Sequence, residues 1–250
     1  MYQPFFLKNI GEYNLKFWLL HLILPLILAI FLLYIYPVTG LDAWLIHPFY
    51  DAKIVAFPLK QDWFLQNIMH ASFKNMLIVV ALTLLMLWLC GLKIVRFNRY
   101  QFKNTWLLAF HQQFLWVFVA MVISTSTISI LKHFSNHACP WDLLKYGGDQ
   151  PLFALFDALP FGAIAGHCFP GGHASGGFAL MAFYFGFKDT QAKLANIGLV
   201  IGLVLGFTMG WAQMMRGAHF MSHNLWTAWI IWMLLLAQYL VWKPNSHRKP

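Results

Sequence analysis

The stretch Phe17–Tyr36, FWLLHLILPLILAIFLLYIY, contains no Asp, Glu, Lys or Arg. Its length matches the roughly 20 apolar residues that an α-helix needs to cross the hydrocarbon core of a bilayer. A cleaved signal peptide would end in a small-x-small site, and Tyr34-Ile35-Tyr36-Pro37 offers none. The stretch therefore predicts an uncleaved membrane-spanning helix.

The rest of the chain has the same apolar character. Hydrophobic residues make up 60% of the 250 residues and charged residues 10%, against roughly a quarter charged in an average soluble domain. The mean hydropathy is +0.61, which is too apolar for a single water-soluble domain. We predict an all-α integral membrane protein. Its six candidate spanning runs are Phe17–Tyr36, Met76–Leu92, Trp106–Leu131, Ala174–Phe187, Leu194–Gly210 and Leu225–Trp242.

These runs predict a six-helix bundle that forms one membrane domain over residues 1–250, because no repeat and no Ser/Gly-rich or Pro-rich linker divides the chain. The fourth run is short, and the uncharged, Gly-rich stretch from Gly171 extends it to spanning length. The fifth run has a glycine at every fourth position, which lets a neighbouring backbone approach one helix face closely. We predict helix packing at this ridge, with a substrate groove as the alternative. Its glycines are Gly198, Gly202, Gly206 and Gly210.

The formal charge of +9 lies between apolar blocks, as membrane orientation signals do, and not in a basic stripe for nucleic acid. Six helices would place both termini on one side, which then carries eleven basic and two acidic residues. The other side carries six of each. The positive-inside rule therefore predicts cytoplasmic termini, with the long loops Pro37–Asn75 and Lys132–His173 facing outward.

Three polar clusters meet at the outward face of this topology. They run from Lys132 to Gly148, from His167 to Ser175 and from Gln213 to His223. Ionisable residues at membrane depth are candidates for function, because burying them in lipid is costly.

The second cluster resembles an anion site. Pro170 suits the start of a helix, Gly171 and Gly172 let backbone N–H groups point at an anion, and His173 would lie in the first turn. An ordinary Pro-Gly-Gly turn is the alternative.

The other clusters add the remaining parts of a phosphoryl-transfer site. Lys132 and Arg216 supply positive charge for phosphate oxygens. His173 and His219 offer one nucleophile and one proton donor. A packing role is the alternative for any single histidine, but three clusters at one face favour function.

The motifs Lys132-x6-Cys139-Pro140, Pro170-Gly171-Gly172-His173 and Gly210–His219 resemble the signatures of the type-2 phosphatidic acid phosphatase superfamily. Those signatures are Lys-x6-Arg-Pro, Pro-Ser-Gly-His and Ser-Arg-x5-His-x3-Asp. The motif-bearing part covers approximately residues 106–242, and the strings around Cys139 and His219 look like a bacterial branch of the superfamily.

The resemblance implies a lipid phosphatase that acts at the outer, periplasmic face of a bacterial inner membrane. His219 would attack phosphorus to give a phosphohistidine, and His173 would protonate the leaving group. Lys132 and the backbone N–H groups near Gly171 and Gly172 would hold the phosphate. The resemblance implies no metal or other cofactor, and neither nucleic acid nor an obligate protein partner is expected.

Four departures from the signatures matter for the site. Cys139 replaces Arg, Gly171 replaces Ser, Gln213 replaces Arg and His223 replaces Asp. If the third motif is helical, Arg216 shares a face with Gln213 and can reach the same phosphate.

The change at His223 removes the carboxylate that would orient the nucleophile. We expect Asp142 or Asp149 to replace it.

Cys139 and Cys168 both belong to outward loops, where disulfides can form. We predict that they pair, which ties the first motif to the second. The alternatives are two free thiols, or a zinc site with His137 and His167.

The leading prediction is therefore hydrolysis of a lipid phosphate monoester or diphosphate. The candidate substrates are phosphatidylglycerophosphate, phosphatidic acid, polyprenyl diphosphate and the phosphates of lipid A. The alternatives are a lipid phosphotransferase with the same intermediate and a non-catalytic lipid-phosphate binder or transporter. A haem protein fits weakly, because the histidines cluster at one face and not in facing pairs.

Overall fold

The computed structural model describes residues 13–97 and 105–244. The regular elements in these ranges are helical, with two isolated β-bridges and no strand. The main helices are α1 (Leu15–Thr39), α2 (Leu41–Ile46), α3 (Phe73–Phe97), α4 (Thr105–His133), α5 (Gly172–Ala179), α6 (Ala182–Phe187), α7 (Ala192–Met215) and α8 (Met221–Val241).

Several short helical turns extend or connect the main helices. α1 contains π-helical turns at Leu19–Ile23 and Phe31–Ile35, and the π-helix Phe64–Ser72 leads into α3. Short 3-10 turns lie at Tyr36–Thr39, His47–Phe49, Pro58–Gln61, Pro140–Asp142 and Leu144–Tyr146.

Within the described ranges, five helical segments are long and apolar enough to span a membrane. This agrees with the predicted all-α membrane protein. The five segments are Leu15–Thr39, Phe64–Leu92, Trp106–His133, Ala192–Met215 and Met221–Val241.

The fourth predicted run, Ala174–Phe187, differs from the prediction because it forms two short helices, α5 and α6. Leu180 and Met181 form a turn between them. α5 is rich in glycine, which has a low helix propensity, and a Cβ at Gly177 would be 2.4 Å from the Gly206 backbone nitrogen of α7. Tight packing against α7 therefore takes precedence over a continuous helix here.

The α5–α6 pair still passes from one end of the bundle to the other. The N-cap of α5 bonds to Thr227 near the start of α8, and Asp189, after α6, accepts a hydrogen bond from Tyr239 near the end of α8. A sixth membrane crossing by α5 and α6 stays a prediction.

We call the end where α4 and α7 finish and α5 and α8 begin the site end. At the opposite end, Asp189 forms ion pairs with Lys188 and Lys243 at 3.0 and 3.6 Å. Both termini, residues 1–12 and 245–250, lie outside the described residues, so the predicted cytoplasmic orientation stays a prediction.

The glycine ridge of α7 is a packing surface, as predicted. A Cβ at Gly198 would be 2.3 Å from Phe183, at Gly202 2.8 Å from Met181, at Gly206 2.2 Å from Phe178, and at Gly210 2.5 Å from Asn224. The ridge thus lets α7 pack closely against α5, α6 and the start of α8.

Gly206→Val tests this packing. The added side chain would collide with Phe178 and the α5 backbone, and overpacking of this kind destabilises by about 1–3 kcal/mol. We expect a lower thermal unfolding midpoint in detergent. Val204→Leu is the control, because Val204 is 57% exposed on the same helix and should leave the midpoint unchanged. Equal midpoints for both variants would contradict the packing role.

Candidate active site

Hydrogen bonds to α8 fix the start of α5. Gly171, the N-cap residue of α5, donates its backbone N–H to Thr227 Oγ1 at 2.8 Å. Thr227 in turn donates its hydroxyl to the His223 carbonyl at 2.7 Å. Because one hydroxyl bridges both backbones, His173 in the first turn of α5 has a fixed position relative to the first turn of α8.

Lys132 lies against the same helix start. It belongs to the last turn of α4, and a Cβ at Gly172 would be only 3.2 Å from Lys132 Cδ. The glycine at this position therefore leaves room for the aliphatic part of the lysine to cross the first turn of α5.

The N–H of Gly171, one of the expected phosphate-binding residues, donates to Thr227. The first N–H groups of a helix have no acceptor within that helix. The backbone donors that α5 offers to an anion are therefore those of Gly172, His173 and Ala174.

The start of α5 and Lys132 together create a positive electrostatic potential at one point. The N-terminus of α5 carries the positive end of the helix dipole, and the Lys132 ammonium is close to it. In the part of the chain that the structure describes, ion pairs occur at Asp189, at the opposite end of the bundle, and none involves Lys132. A bound anion would relieve the repulsion between the lysine and the helix end.

A Schellman motif at the end of α7 turns the chain towards His219. Gly217 has a φ of +76°, its N–H donates to the Met214 carbonyl, and the Ala218 N–H donates to the Gln213 carbonyl, both at 2.9 Å. This pattern terminates a helix and needs a left-handed residue, which glycine supplies. His219 follows directly, so the motif determines where its side chain enters the site.

His219 and His223 form a buried pair. Their Nδ1 atoms are 3.3 Å apart and hydrogen bonded, and the residues are 3% and 7% exposed. His223 thus contacts the same ring atom of His219 at which the expected carboxylate would act.

Burial lowers the pKa of His219 well below its ordinary value, and the nearby His223, Lys132 and His173 lower it further. A hydrogen bond with the backbone of Cys168 acts in the opposite direction but is outweighed. The lowered pKa favours the neutral form of His219, in which one ring nitrogen carries a lone pair. Lys132, His173 and His219 therefore come together from α4, α5 and the α7–α8 turn, as predicted.

The profile of the PAP2 superfamily matches residues 113–246, just over half of the chain, and these residues contain all three clusters. The chain belongs to the PAP2 superfamily. Membership indicates phosphatase activity in general. No curated protein and no solved structure gives a significant match.

Two further PAP2 candidates, Gln213 and Arg216, contact each other. Arg216 Nη1 donates to Gln213 Oε1 at 3.2 Å, and Arg216 Nε donates to the Lys60 carbonyl at 3.0 Å. Gln213 is 2% exposed, and its buried Nε2 has no hydrogen-bond partner among the described residues. Arg216 thus orients the amide of Gln213, and an unused amide donor remains at the position where the PAP2 motif has arginine.

The two acids expected to replace the PAP2 carboxylate lie elsewhere. Asp142 accepts a hydrogen bond from the Trp141 indole at 2.9 Å, and Asp149 accepts one from the Gln150 amide at 2.8 Å. The charged groups that shift the His219 pKa include no carboxylate. The structure therefore does not bring Asp142 or Asp149 to the nucleophile.

Cys139 and Cys168, the pair expected from the sequence, form a disulfide with Cα atoms 5.1 Å apart. Both sulfurs are thereby used, which removes the alternative of a zinc site with His137 and His167. In the described ranges no group of three or more His, Cys, Asp or Glu side chains is placed to hold a metal ion.

Asp42, which no sequence motif indicates, holds the start of α8. It accepts hydrogen bonds from the Ser222 backbone N–H and from Tyr36, both at 2.9 Å, and from the Ser222 hydroxyl. Burial nevertheless raises the pKa of Asp42. The residue lies 180 positions from Ser222 and outside the PAP2-matched segment, so no local pattern could identify it.

A cavity of about 710 Å³ lies beside the histidine pair. His223 and Ser222 form part of its wall, and most of the remaining wall is apolar. The apolar side chains come from α1, α8 and the loop before α5; they include Leu32, Leu33, Leu152, Phe153, Phe156 and Trp226.

Thiol labelling tests the disulfide. In the oxidised, detergent-denatured protein we expect one label, on the exposed Cys90, and three labels after reduction. Mass spectrometry of the intact chain measures the number. Three labels without reductant would contradict the disulfide.

Proposed function

We propose that this PAP2 protein hydrolyses a phosphate monoester or diphosphate of a membrane lipid through a phosphohistidine intermediate. The observation that carries the proposal is the convergence of Lys132, His173 and His219 at the start of α5. Each comes from a different cluster, and packing alone gives no reason to bring two imidazoles together at a buried helix end with an ammonium that has no ion-pair partner among the described residues.

In the first step, His219 acts as the nucleophile. Its Nδ1 is hydrogen bonded to His223, and in the tautomer that carries the proton on Nδ1 the lone pair lies on Nε2 and attacks phosphorus. The N–P bond forms as the bond between phosphorus and the leaving oxygen breaks. His173, in its protonated form, donates a proton to that oxygen and releases the lipid alcohol or lipid monophosphate.

In the second step, water attacks the phosphohistidine. His173, now neutral, accepts the proton of the water, the N–P bond breaks and inorganic phosphate leaves. His219 returns to its neutral state and His173 to its protonated state, so both groups are ready for another turnover.

The charge that develops on the phosphoryl oxygens needs fixed donors. Lys132 and the first-turn N–H groups of α5 supply them in this proposal, and the buried amide of Gln213, oriented by Arg216, adds one more. These donors are in place before substrate binds, because Thr227 and the Schellman motif hold their backbones.

The proposed location is the outer face of a bacterial inner membrane. A disulfide beside the site favours an oxidising compartment, and the distribution of basic residues along the sequence favours cytoplasmic termini.

The cavity beside His223 supports a lipid as substrate. Its largely apolar wall suits hydrocarbon, and Leu32, Leu33 and Trp226 belong to candidate spanning helices. A chain in this cavity would connect the phosphate site with the lipid phase, whereas a small soluble phosphate would gain nothing from the cavity.

Histidine substitutions test the catalytic roles. With short-chain phosphatidic acid in detergent, we expect His219→Ala to abolish phosphate release and covalent phosphate incorporation. His173→Ala should slow release by about 100- to 10,000-fold, as loss of a general acid does. His47→Ala is the control, because His47 is exposed in the α1–α3 loop. Unchanged activity in His219→Ala would refute the mechanism, and a wild type that binds lipid phosphates without hydrolysing any would support the non-catalytic alternative.

Filling the cavity tests the substrate class. Ala43→Phe places a ring in the cavity wall and should raise the KM for a long-chain lipid phosphate at least tenfold. Displacing two methylene groups of the lipid chain from the cavity, at about 0.8 kcal/mol each, is enough for an effect of this size. Hydrolysis of a very short-chain analogue should change less than twofold. Ala192→Phe, at an exposed position at the opposite end of the bundle, is the control. Equal effects on both substrates would show that the chain does not use this cavity.

A further inference from the structure

Residues 151–165, with the sequence PLFALFDALPFGAIA, lie between the first and second motifs, and we call them the apolar loop. Asp157 is the single charged residue of this loop, and its carboxylate accepts a hydrogen bond from the Ala154 N–H at 3.2 Å. A segment that only connects two elements in water is usually rich in polar, turn-forming residues. The composition of the apolar loop therefore requires another explanation.

The base of the apolar loop is tied to the first motif. The Gly166 N–H, just after the loop, donates to the Asn136 carbonyl at 3.2 Å. The ring of His137 stacks on Phe153 with centroids 4.6 Å apart, and its Nε2 donates to the Leu155 carbonyl at 3.1 Å. The loop therefore has a fixed position relative to the site.

The inner side of the apolar loop lies between two candidate spanning helices. Phe153 and Leu155 are half-buried, whereas the residues that alternate with them are exposed, as in an extended chain. Leu155 packs against an apolar cluster that joins α1 to α8 and consists of Ala29, Leu32, Tyr36 and Trp226. Leu32 lies seven residues before the end of α1 at Thr39, which is about 10 Å along a helix. The loop thus reaches below the ends of the helices at the site end.

The opposite side of the apolar loop is also apolar, and the described residues leave it uncovered. Four large side chains are 65–109% exposed, and we call them the outer face: Leu152, Phe156, Phe161 and Ile164. Grouped exposed apolar side chains mark a surface that contacts a membrane or another protein. Because the inner side packs against spanning helices, the outer face lies at the height of the bilayer leaflet, which favours lipid as its partner.

The irregular backbone of the loop restricts the depth at which it can lie. Backbone N–H and C=O groups without partners are not tolerated in the hydrocarbon core. At the boundary between headgroups and acyl chains they can bond to headgroups and water, while apolar side chains reach about 5–10 Å towards the acyl chains. This depth agrees with the position of Leu155 against the outer part of α1.

We propose that the apolar loop is an interfacial membrane anchor, whose outer face inserts into the bilayer leaflet at the site end. Residues 152–157 also line the cavity beside the histidine pair, so the same loop forms the wall of the cavity at the level of that leaflet. Substrate then enters between the loop and α1 without leaving the leaflet. The entry route rests on the proposed function, whereas the insertion of the outer face does not.

Spin labelling tests the insertion without reference to activity. A nitroxide is attached at Phe161→Cys or, as the control, at Ile54→Cys, both in the Cys90→Ser background, which removes the exposed free thiol. Ile54 is 60% exposed in the α2–α3 loop and has Lys53 beside it. In vesicles of phosphatidylethanolamine and phosphatidylglycerol, we expect the label at position 161 to collide mainly with oxygen, which dissolves in the bilayer. The label at position 54 should collide mainly with water-soluble nickel(II) ethylenediaminediacetate.

Two results of the labelling would overturn the proposal. A label at position 161 that meets the nickel complex as often as the label at position 54 would place the loop in water. A label at position 161 that is shielded from both reagents would show that a protein, such as a second copy of the chain, covers the outer face.

Activity measurements test the entry route. Phe161→Ser/Ile164→Ser removes two side chains of the outer face that do not line the cavity. We expect the KM for long-chain phosphatidic acid in vesicles to rise by about 3- to 10-fold, with kcat and the hydrolysis of a short-chain analogue in detergent changed less than twofold. Ile54→Ser, the control, should change neither substrate.

Equal effects of the double variant on both substrates would overturn the entry route, as would an effect of Ile54→Ser as large as that of the double variant. Failure of the proposed function would appear differently, as absence of phosphate release from the wild-type protein with either substrate. The spin-label result would still decide whether the loop inserts.

Discussion

The hydroxyl of Thr227 is the contact on which the geometry of the site depends. It accepts the Gly171 N–H and donates to the His223 carbonyl, and so it joins the helix start that carries His173 to the helix start that follows His219. The bridge therefore fixes His173 relative to the first turn of α8, which follows His219. A general acid and a nucleophile, the roles that we propose for these histidines, must be placed within fractions of an ångström to act on one phosphate, and the buried hydroxyl contributes to that placement.

The bridge is possible only because the backbones come unusually close. A Cβ at Gly171 would be 2.9 Å from the Asn224 side chain, and one at Gly210 would be 2.5 Å from it. Asn224 is fully buried between α5, α7 and α8. The glycines of the second motif and of the α7 ridge therefore serve one purpose, which is to let three helices meet around the start of α8.

The sequence predicted the parts of the site that depend on local patterns. The apolar runs predicted the five candidate spanning helices, and the glycine spacing predicted the packing face of α7. The motif clusters predicted that Lys132, His173 and His219 lie together. Long-range contacts gave no such signal. Asp42 holds the start of α8 from 180 positions away, and the break between α5 and α6 arises from packing against α7. For the same reason the sequence could not show where Asp142 and Asp149 lie relative to His219; in the structure each carboxylate bonds to its chain neighbour, Trp141 or Gln150.

Two departures from the PAP2 signatures are physically linked. Cys139 replaces an arginine and removes a positive charge, while His223 replaces an aspartate and removes a negative charge, so these two changes cancel in formal charge. Cys139 also forms a disulfide with Cys168, which links the first motif to the second. With both charged residues gone, His223 contacts Nδ1 of His219 at the position where the motif has aspartate, and a disulfide stands where the motif has an arginine side chain.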